Sequence, residues 1–422
     1  MPNAATATKT QRRGRPPSRR PAQHSALLDA AVEQINLNGA ASISLAQLGE
    51  RIGVTRSGIY YYCADAADLV FQCYVRSCAR LQEDIDSAAS GPGDADDRLA
   101  ALIRRVLAPD RPPIAVLNDI AFLPEPLQAD ITARAAKHKR GISVMLNDGR
   151  KAGVLRAVDV ELAARLILNC LSWALVSQPW LARRNDPRGR RQYADVVAGI
   201  ILDGVATGPE RVLGCDVRFD ALTARSINAF DRRQTADLKS DQIIAAASRL
   251  FNALGLDGVR LDDVSAAIGA SKGAIYHHFR DKTELVERCY ERGFEIYDLI
   301  MDTGVKTGKT PVEQFAIVQH LNTQAQLNPA PPLALQPGLS ALAPAKRRTL
   351  TRRAQSLNAV ARQIISKGIR AGHCQALDAE LVPQVLAGYF TGLAQWIPPD
   401  ADPVAIADDA TNFAAYGLRA RR

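Results

Sequence analysis

Residues 270–285 read ASKGAIYHHFRDKTEL, a Ser, a Lys, a Gly, a Tyr and two His ahead of a Phe and a charged run. Three chemistries could use such a set: metal ligation by His277 and His278, acid–base catalysis, or contact with a polyanion. Metal ligation fails on spacing. Adjacent helical residues point about 100° apart, whereas a chelating pair sits three or four residues apart. Catalysis finds no further support, because the chain holds no phosphate-binding Gly loop, no GxSxG and no HExxH. Its scattered Asp and Glu read as helix surface. A polyanion remains, and the elements that carry these residues have to decide it.

The chain has 422 residues, 47% of them hydrophobic and only 5% aromatic. Ala and Leu are abundant and β-branched runs scarce, which favours helices over sheets. No apolar stretch reaches about 18 residues, and no apolar core follows the basic N-terminus, so neither a membrane span nor a secretory signal is expected. The seven Cys are scattered without a CxxC pair, which fits a reducing cytosol and argues against a disulfide framework or structural zinc. Net charge is +9, and residues 1–26 supply Lys9, Arg12, Arg13, Arg15, Arg19 and Arg20 with no Asp or Glu. Residues 1–22 therefore read as a basic disordered arm drawn to polyanions. Its RRGRPP run resembles an AT-hook core, with Arg13 and Arg15 flanking Gly14 on a strand thin enough for a minor groove. The plainer reading of the arm is a solubilising tail.

The opening stretch has a counterpart. Tyr60 and Tyr276 lie 216 residues apart, and that offset aligns residues 27–70 with 243–286 without a gap. Identical pairs include Asn36/Asn252, Gly39/Gly255, Leu45/Leu261, Gly53/Gly269, Ile59/Ile275 and Asp65/Asp281. Residues 149–162 match 368–381 at an offset of 219, and Trp180/Trp396 return to 216. One unit of about 200 residues has been duplicated in tandem. The expected division is an arm at 1–22, a first head at 23–70, a first body at 71–208, a linker at 209–239, a second head at 240–286 and a second body at 287–422.

Within the second head, Ile243, Ile244, Ala247, Leu250, Phe251 and Leu254 follow the rhythm of an amphipathic helix. Ser240 is its expected N-cap and Gly255 its C-terminal stop. A two-turn helix with Leu261, Val264 and Ile268 inward follows. Gly269 supplies a sharp turn, and SKGAIYHHF opens a third helix: a helix-turn-helix. The first head repeats this, with Ser44 and Gln47 placed for a capping box.

These residues resemble the TetR family of bacterial transcriptional regulators. Residues 241–286 match that signature closely, apart from Arg260 where a Thr or Ser cap is usual. Residues 25–70 match more loosely, with Cys63 in place of the Phe and Ala66 in place of the Lys. The resemblance implies an all-α fold of two tandem units, each a three-helix DNA-binding head followed by a helical ligand-binding and dimerisation body. It also implies that Tyr276 and His277 touch phosphates and that Lys282 clamps the DNA backbone. Position adds that the start of the third helix meets base edges. There Ser271 and Gly273 let the backbone approach and Lys272 reaches a guanine or a phosphate. Thr55, Arg56, Ser57, Tyr60 and Tyr61 stand at the matching places of the first head. Phe279 and Cys63 read as core residues.

Trp173, Trp180 and Trp396 lie in late helices, where they either line a ligand pocket or pack the core and dimer contact. The expected function is a cytoplasmic, nucleoid-associated regulator, most simply a repressor released from operator DNA by a small, largely apolar effector. The second body loosely resembles regulators that sense acyl-CoA thioesters. No cofactor, metal or membrane partner is expected, and no enzyme activity. The chain either pairs its own two units as an internal pseudo-dimer or forms a homodimer. Two rivals remain. An architectural DNA-binding protein would have sealed bodies without a cavity, and an enzyme with a borrowed head would gather polar side chains in one pocket.

Overall fold

The computed structural model describes residues 19–177, 180, 186–210, 213, 215–224, 232–339, 342–398 and 400–421. The first unit runs α1 (Arg19–Asn38), α2 (Leu45–Arg51), α3 (Arg56–Ile59), α4 (Ala66–Ala89), α5 (Ala95–Val106), α6 (Glu125–Lys151), α7 (Val160–Val176) and α8 (Pro187–Asp203). A short α9 (Phe219–Thr223) lies between the units. The second unit runs α10 (Arg232–Leu254), α11 (Leu261–Ala267), α12 (Lys272–His278), α13 (Lys282–Thr307), α14 (Pro311–Leu327), α15 (Pro344–Arg370), α16 (Val382–Leu386) and α17 (Pro403–Tyr416). Among the described residues the only β-structure is two isolated bridges.

The repeat is visible in the helix starts. α4 and α13 begin at repeat-related residues, as do α5 and α14, α6 and α15, and α8 and α17. One pair breaks the rule. α7 is a continuous helix of 17 residues, but its counterpart is a five-residue α16 followed by two 3-10 turns. Pro383 near the start of α16 removes a backbone donor, and Gly392 takes a left-handed φ of 79°.

Two sequence expectations change. α10 begins at Arg232, eight residues inside the expected linker, so Ser240 lies within the helix and is not its N-cap. Within the linker, Phe219 of α9 is buried against Ile300, Ile317 and Leu321. Likewise α1 begins at Arg19, inside the expected arm. Gly255 does end α10, at a φ of 78°.

The two bodies share one core. Leu166, Ile167 and Cys170 of α7 pack with Val385, Leu386 and Tyr389 of the second unit and with Phe413 of α17. Gly388 makes this possible: a Cβ there would lie 2.9 Å from the Cα of Cys170. The crossings are reciprocal. Leu155 bridges to Arg419, and its repeat counterpart Cys374 bridges to Ala206. Gly204 and Gly417 each lie against the other unit's backbone, where a Cβ would collide with the carbonyl oxygen of Ala415 or of Leu202. Such exchange of equivalent contacts is the mark of a two-fold interface, here within a single chain.

Candidate nucleic-acid interface and effector chambers

In the second head, the Ser271 hydroxyl accepts from the Ala274 N–H at 3.3 Å and starts α12. Ile275 and Phe279 turn inward and are almost fully buried. With that face anchored, Ser271, Lys272, Gly273, Tyr276 and His277 stand outward. Tyr276 is 56% exposed, an unusual place for a large aromatic ring with no partner to cover it. Lys272 Nζ lies 2.5 Å from an Asp262 carboxylate oxygen of α11, a surface pair that a phosphate can displace at little cost. The rings of His277 and His278 meet edge-on, with centroids 5.4 Å apart.

The cap of α11 explains how Arg260 is tolerated. Its backbone N–H donates to the Asp263 carboxylate at 2.7 Å, the reverse half of a capping box. The first head uses the other half, Ser44 accepting from the Gln47 N–H at 3.4 Å.

The first head presents a shorter reading element. Thr55 Oγ1 accepts from the Gly58 N–H at 3.2 Å, but α3 is a single turn of four residues against seven in α12. Ile59 anchors it, and Tyr60 and Tyr61 are 56% and 75% exposed. Thr55 and Ser57 are exposed too. The Arg56 side chain, and Arg13 and Arg15 of the arm, lie outside the described residues. Cys63 is buried, and burial with nearby Asp68 and Asp65 pushes its thiol up to about 11, so it is packing and not a thiolate.

Lys282 is half-buried, burial lowers its pKa, and its charged neighbours are Asp257, Asp119 and Asp263. Two of these acids, Asp119 and Asp257, belong to a junction at which the heads meet. The Ala40 N–H donates to Asp119 at 3.0 Å, and the Ala41 N–H donates to Asp257, its own repeat counterpart, at 3.0 Å. Gly39 and Gly255 allow the approach; a Cβ on either would collide with Asp257 or Asp119. Burial, then the Asp257 charge, raises the Asp119 pKa to about 7. The heads therefore meet at the loops that follow their first helices.

Two chambers lie in the bodies, related by the repeat. Cys78, Leu81, Val106 and Ala135 line the first; their counterparts Phe294, Tyr297, Asn322 and Ala354 line the second. Trp173, Leu335 and Thr391 line both. Trp173 crosses the unit boundary, its indole N–H donating to the Gln384 carbonyl at 2.6 Å. Trp396 lines the first chamber. Trp180 lines neither; it is core, its ring 5.3 Å from that of Tyr290 and its indole N–H donating to the Gln336 carbonyl.

Each head is tied to its body by one buried Asn. Asn36 of α1 donates to the Ile114 carbonyl at 2.9 Å and accepts from the Val116 N–H at 3.0 Å. Asn252 of α10 donates to the Pro332 carbonyl and accepts from the Ala334 N–H, both at 2.9 Å. Each loop so held carries a chamber wall, Val116 and Leu117 in the first unit and Leu335 in the second. The pair Asn36/Asn252 stands out in the repeat as an identity, but its task needed the fold.

A sequence profile described as bacterial regulatory proteins of the tetR family matches residues 27–73 and 243–289. The tetracyclin repressor-like C-terminal domain profile matches residues 92–176. The transposon Tn10 TetC protein of Escherichia coli is 24% identical over 159 residues, 36% of this chain and 76% of that protein. The transcriptional regulator TtgR of Pseudomonas putida is 40% identical over 57 residues, 14% of this chain and 27% of TtgR. Among solved structures, the regulator PfmR from Thermus thermophilus is 21% identical, covers 42% of this chain and 98% of its own, and superposes with a TM-score of 0.36.

Proposed function

The chain belongs to the TetR family of bacterial transcriptional regulators, and from that premise we propose a repressor in which one chain supplies both reading heads and the chambers that control them. The observation that carries the control step is the pair of loops that line the chambers and are bonded to α1 and α10 through Asn36 and Asn252. An effector seated in a chamber moves its loop, and the loop moves the first helix of its head. An operator holds two such heads about 34 Å apart in successive major grooves, so a small change in spacing loses affinity. Coupling of about 1–3 kcal/mol is enough to lower operator affinity roughly 5- to 150-fold.

The roles at the DNA are assigned from position in the heads and side-chain chemistry. Ser271, Lys272 and Gly273 face base edges in one head, and Thr55, Arg56 and Ser57 in the other, while Tyr276, His277, Tyr60 and Tyr61 reach phosphates. Lys282 combines a backbone contact with its place among the junction acids. Arg13 and Arg15 follow the flanking minor groove. The protein works in the cytoplasm on the nucleoid; among the described residues no helix is long and apolar enough to cross a membrane.

The effector is small and largely apolar. An acyl-CoA-like thioester is the specific candidate we carry forward from the sequence. An architectural protein without a ligand is disfavoured by the two cavities. Sequencing genomic fragments retained by the full chain, followed by footprinting, tests the reading. A discrete site with two half-sites about one helical turn apart supports it; uniform coating of DNA without a preferred site refutes it.

A further inference from the structure

The two chambers descend from one, yet their walls have diverged in charge. His138, Lys139 and Arg165 line the first. At the repeat-related positions the second has Leu357, Asn358 and Gln384, and among the described residues no charged side chain lines it. A carboxylate or phosphate placed in the second chamber would be desolvated without a counter-charge, a severe penalty for an ionised group.

The second chamber is not merely apolar. Gln319, Asn322 and Gln384 line it and are at most 5% exposed. Each keeps one polar atom without a partner among the described residues: Gln319 Nε2, Asn322 Oδ1 and Gln384 Oε1. The orientation of two of these amides is set by their other ends. Asn322 Nδ2 donates to the Val318 carbonyl at 2.9 Å and Gln384 Nε2 to the Glu380 carbonyl at 3.1 Å, which leaves the oxygens unpaired. Leaving a buried polar group unsatisfied is costly, and three of them belong to residues that line this one cavity. At the places of Gln319 and Asn322 the first unit has Ile103 and Val106, both buried in the shared core. The same helix position can be filled by an aliphatic side chain, so the amides are not required by the fold.

We infer that the second chamber is a site for a neutral apolar molecule carrying a hydroxyl, alone or with a carbonyl, a phenol or hydroxyketone in class, seated against Trp173 of the first unit. Its hydroxyl donates to the Asn322 or Gln384 oxygen and accepts from the Gln319 amide. The aromatic walls Phe294, Phe315 and Phe390 take the ring or chain. This inference rests on the proposed effector control and names the chemistry of one of its two sites.

Three probes of one shape test it by calorimetric titration of the full chain: biphenyl-4-ol, biphenyl and biphenyl-4-carboxylate. The hydroxyl probe should bind at least about tenfold tighter than biphenyl, the gain expected where buried polar atoms find their partner. Gln319→Ile and Asn322→Val install the first unit's residues. Each should erase most of that preference, leave biphenyl binding unchanged, and leave the melting temperature of the empty protein unchanged or raised. Asn358→Lys should bring the carboxylate into the second chamber. The inference is overturned if biphenyl-4-ol does not bind, or if neither substitution weakens it. It is equally overturned if the two substitutions weaken the carboxylate as much as the phenol, because the anion would then share the chamber. Phenol binding that leaves operator affinity untouched would refute effector control while sparing the ligand class.

Discussion

Asn252 stands at the residue scale for how the molecule transmits. Its amide satisfies a carbonyl and an N–H of the Pro-rich loop from a helix of the reading head. Asn252→Ala leaves the Ala334 N–H buried and unpaired while the Pro332 carbonyl keeps the Gln326 amide, so we expect a loss of roughly 1–3 kcal/mol in denaturant unfolding. Asn252→Asp is the sharper probe, because the Ala334 N–H keeps its acceptor while the Pro332 carbonyl is left with the Gln326 amide alone. Asp119 makes a pH prediction. Its folded pKa of about 7 lies above the ordinary 3.8, so from about pH 4 to pH 7 the folded state holds a proton the unfolded state has lost. Stability should therefore fall as pH rises through that window. Asp119→Asn keeps an oxygen for the Ala40 N–H and should flatten that part of the profile; an unchanged pH dependence in this variant would refute the assignment.

At the scale of elements, duplication has left unequal parts. α12 offers two turns and an exposed Tyr276; α3 offers one turn. Tyr276→Ala should cost more operator affinity than Tyr60→Ala, and equal losses by fluorescence anisotropy would count against the ranking. The arm belongs to the weaker head. Deleting residues 1–18 removes Lys9, Arg12, Arg13 and Arg15. The slope of log K against log salt should then fall by up to about 3–4 units, roughly 0.9 per lost phosphate contact. An unchanged slope would make the arm a solubilising tail. The heads were legible in the sequence because their signals are local: a helical period, a Gly turn, a Ser or Thr cap. The chambers were not. Gln319 and Asn322 in α14 look like the polar face of a surface helix until packing with α13 and α17 shows that the helix is buried all round. The acidic neighbours of Lys282 were hidden for the same reason: Asp119 comes from the first unit and Asp257 and Asp263 from the second, and no local pattern announces them together.

At the scale of the whole molecule, the reciprocal crossings Leu155–Arg419 and Cys374–Ala206 are what the proposed internal pseudo-dimer requires. Two identical heads would require a palindrome, because protein symmetry is mirrored in the site. Here Thr55, Arg56 and Ser57 stand in one head where Ser271, Lys272 and Gly273 stand in the other, and Arg reads guanine as a fork where Lys acts as a point charge. The half-sites should differ in sequence. The most direct test is the mass of the complex with its footprinted operator by light scattering. The internal pseudo-dimer requires one chain of 45.6 kDa per operator with both half-sites protected. Two chains on a single perfect palindrome would contradict it.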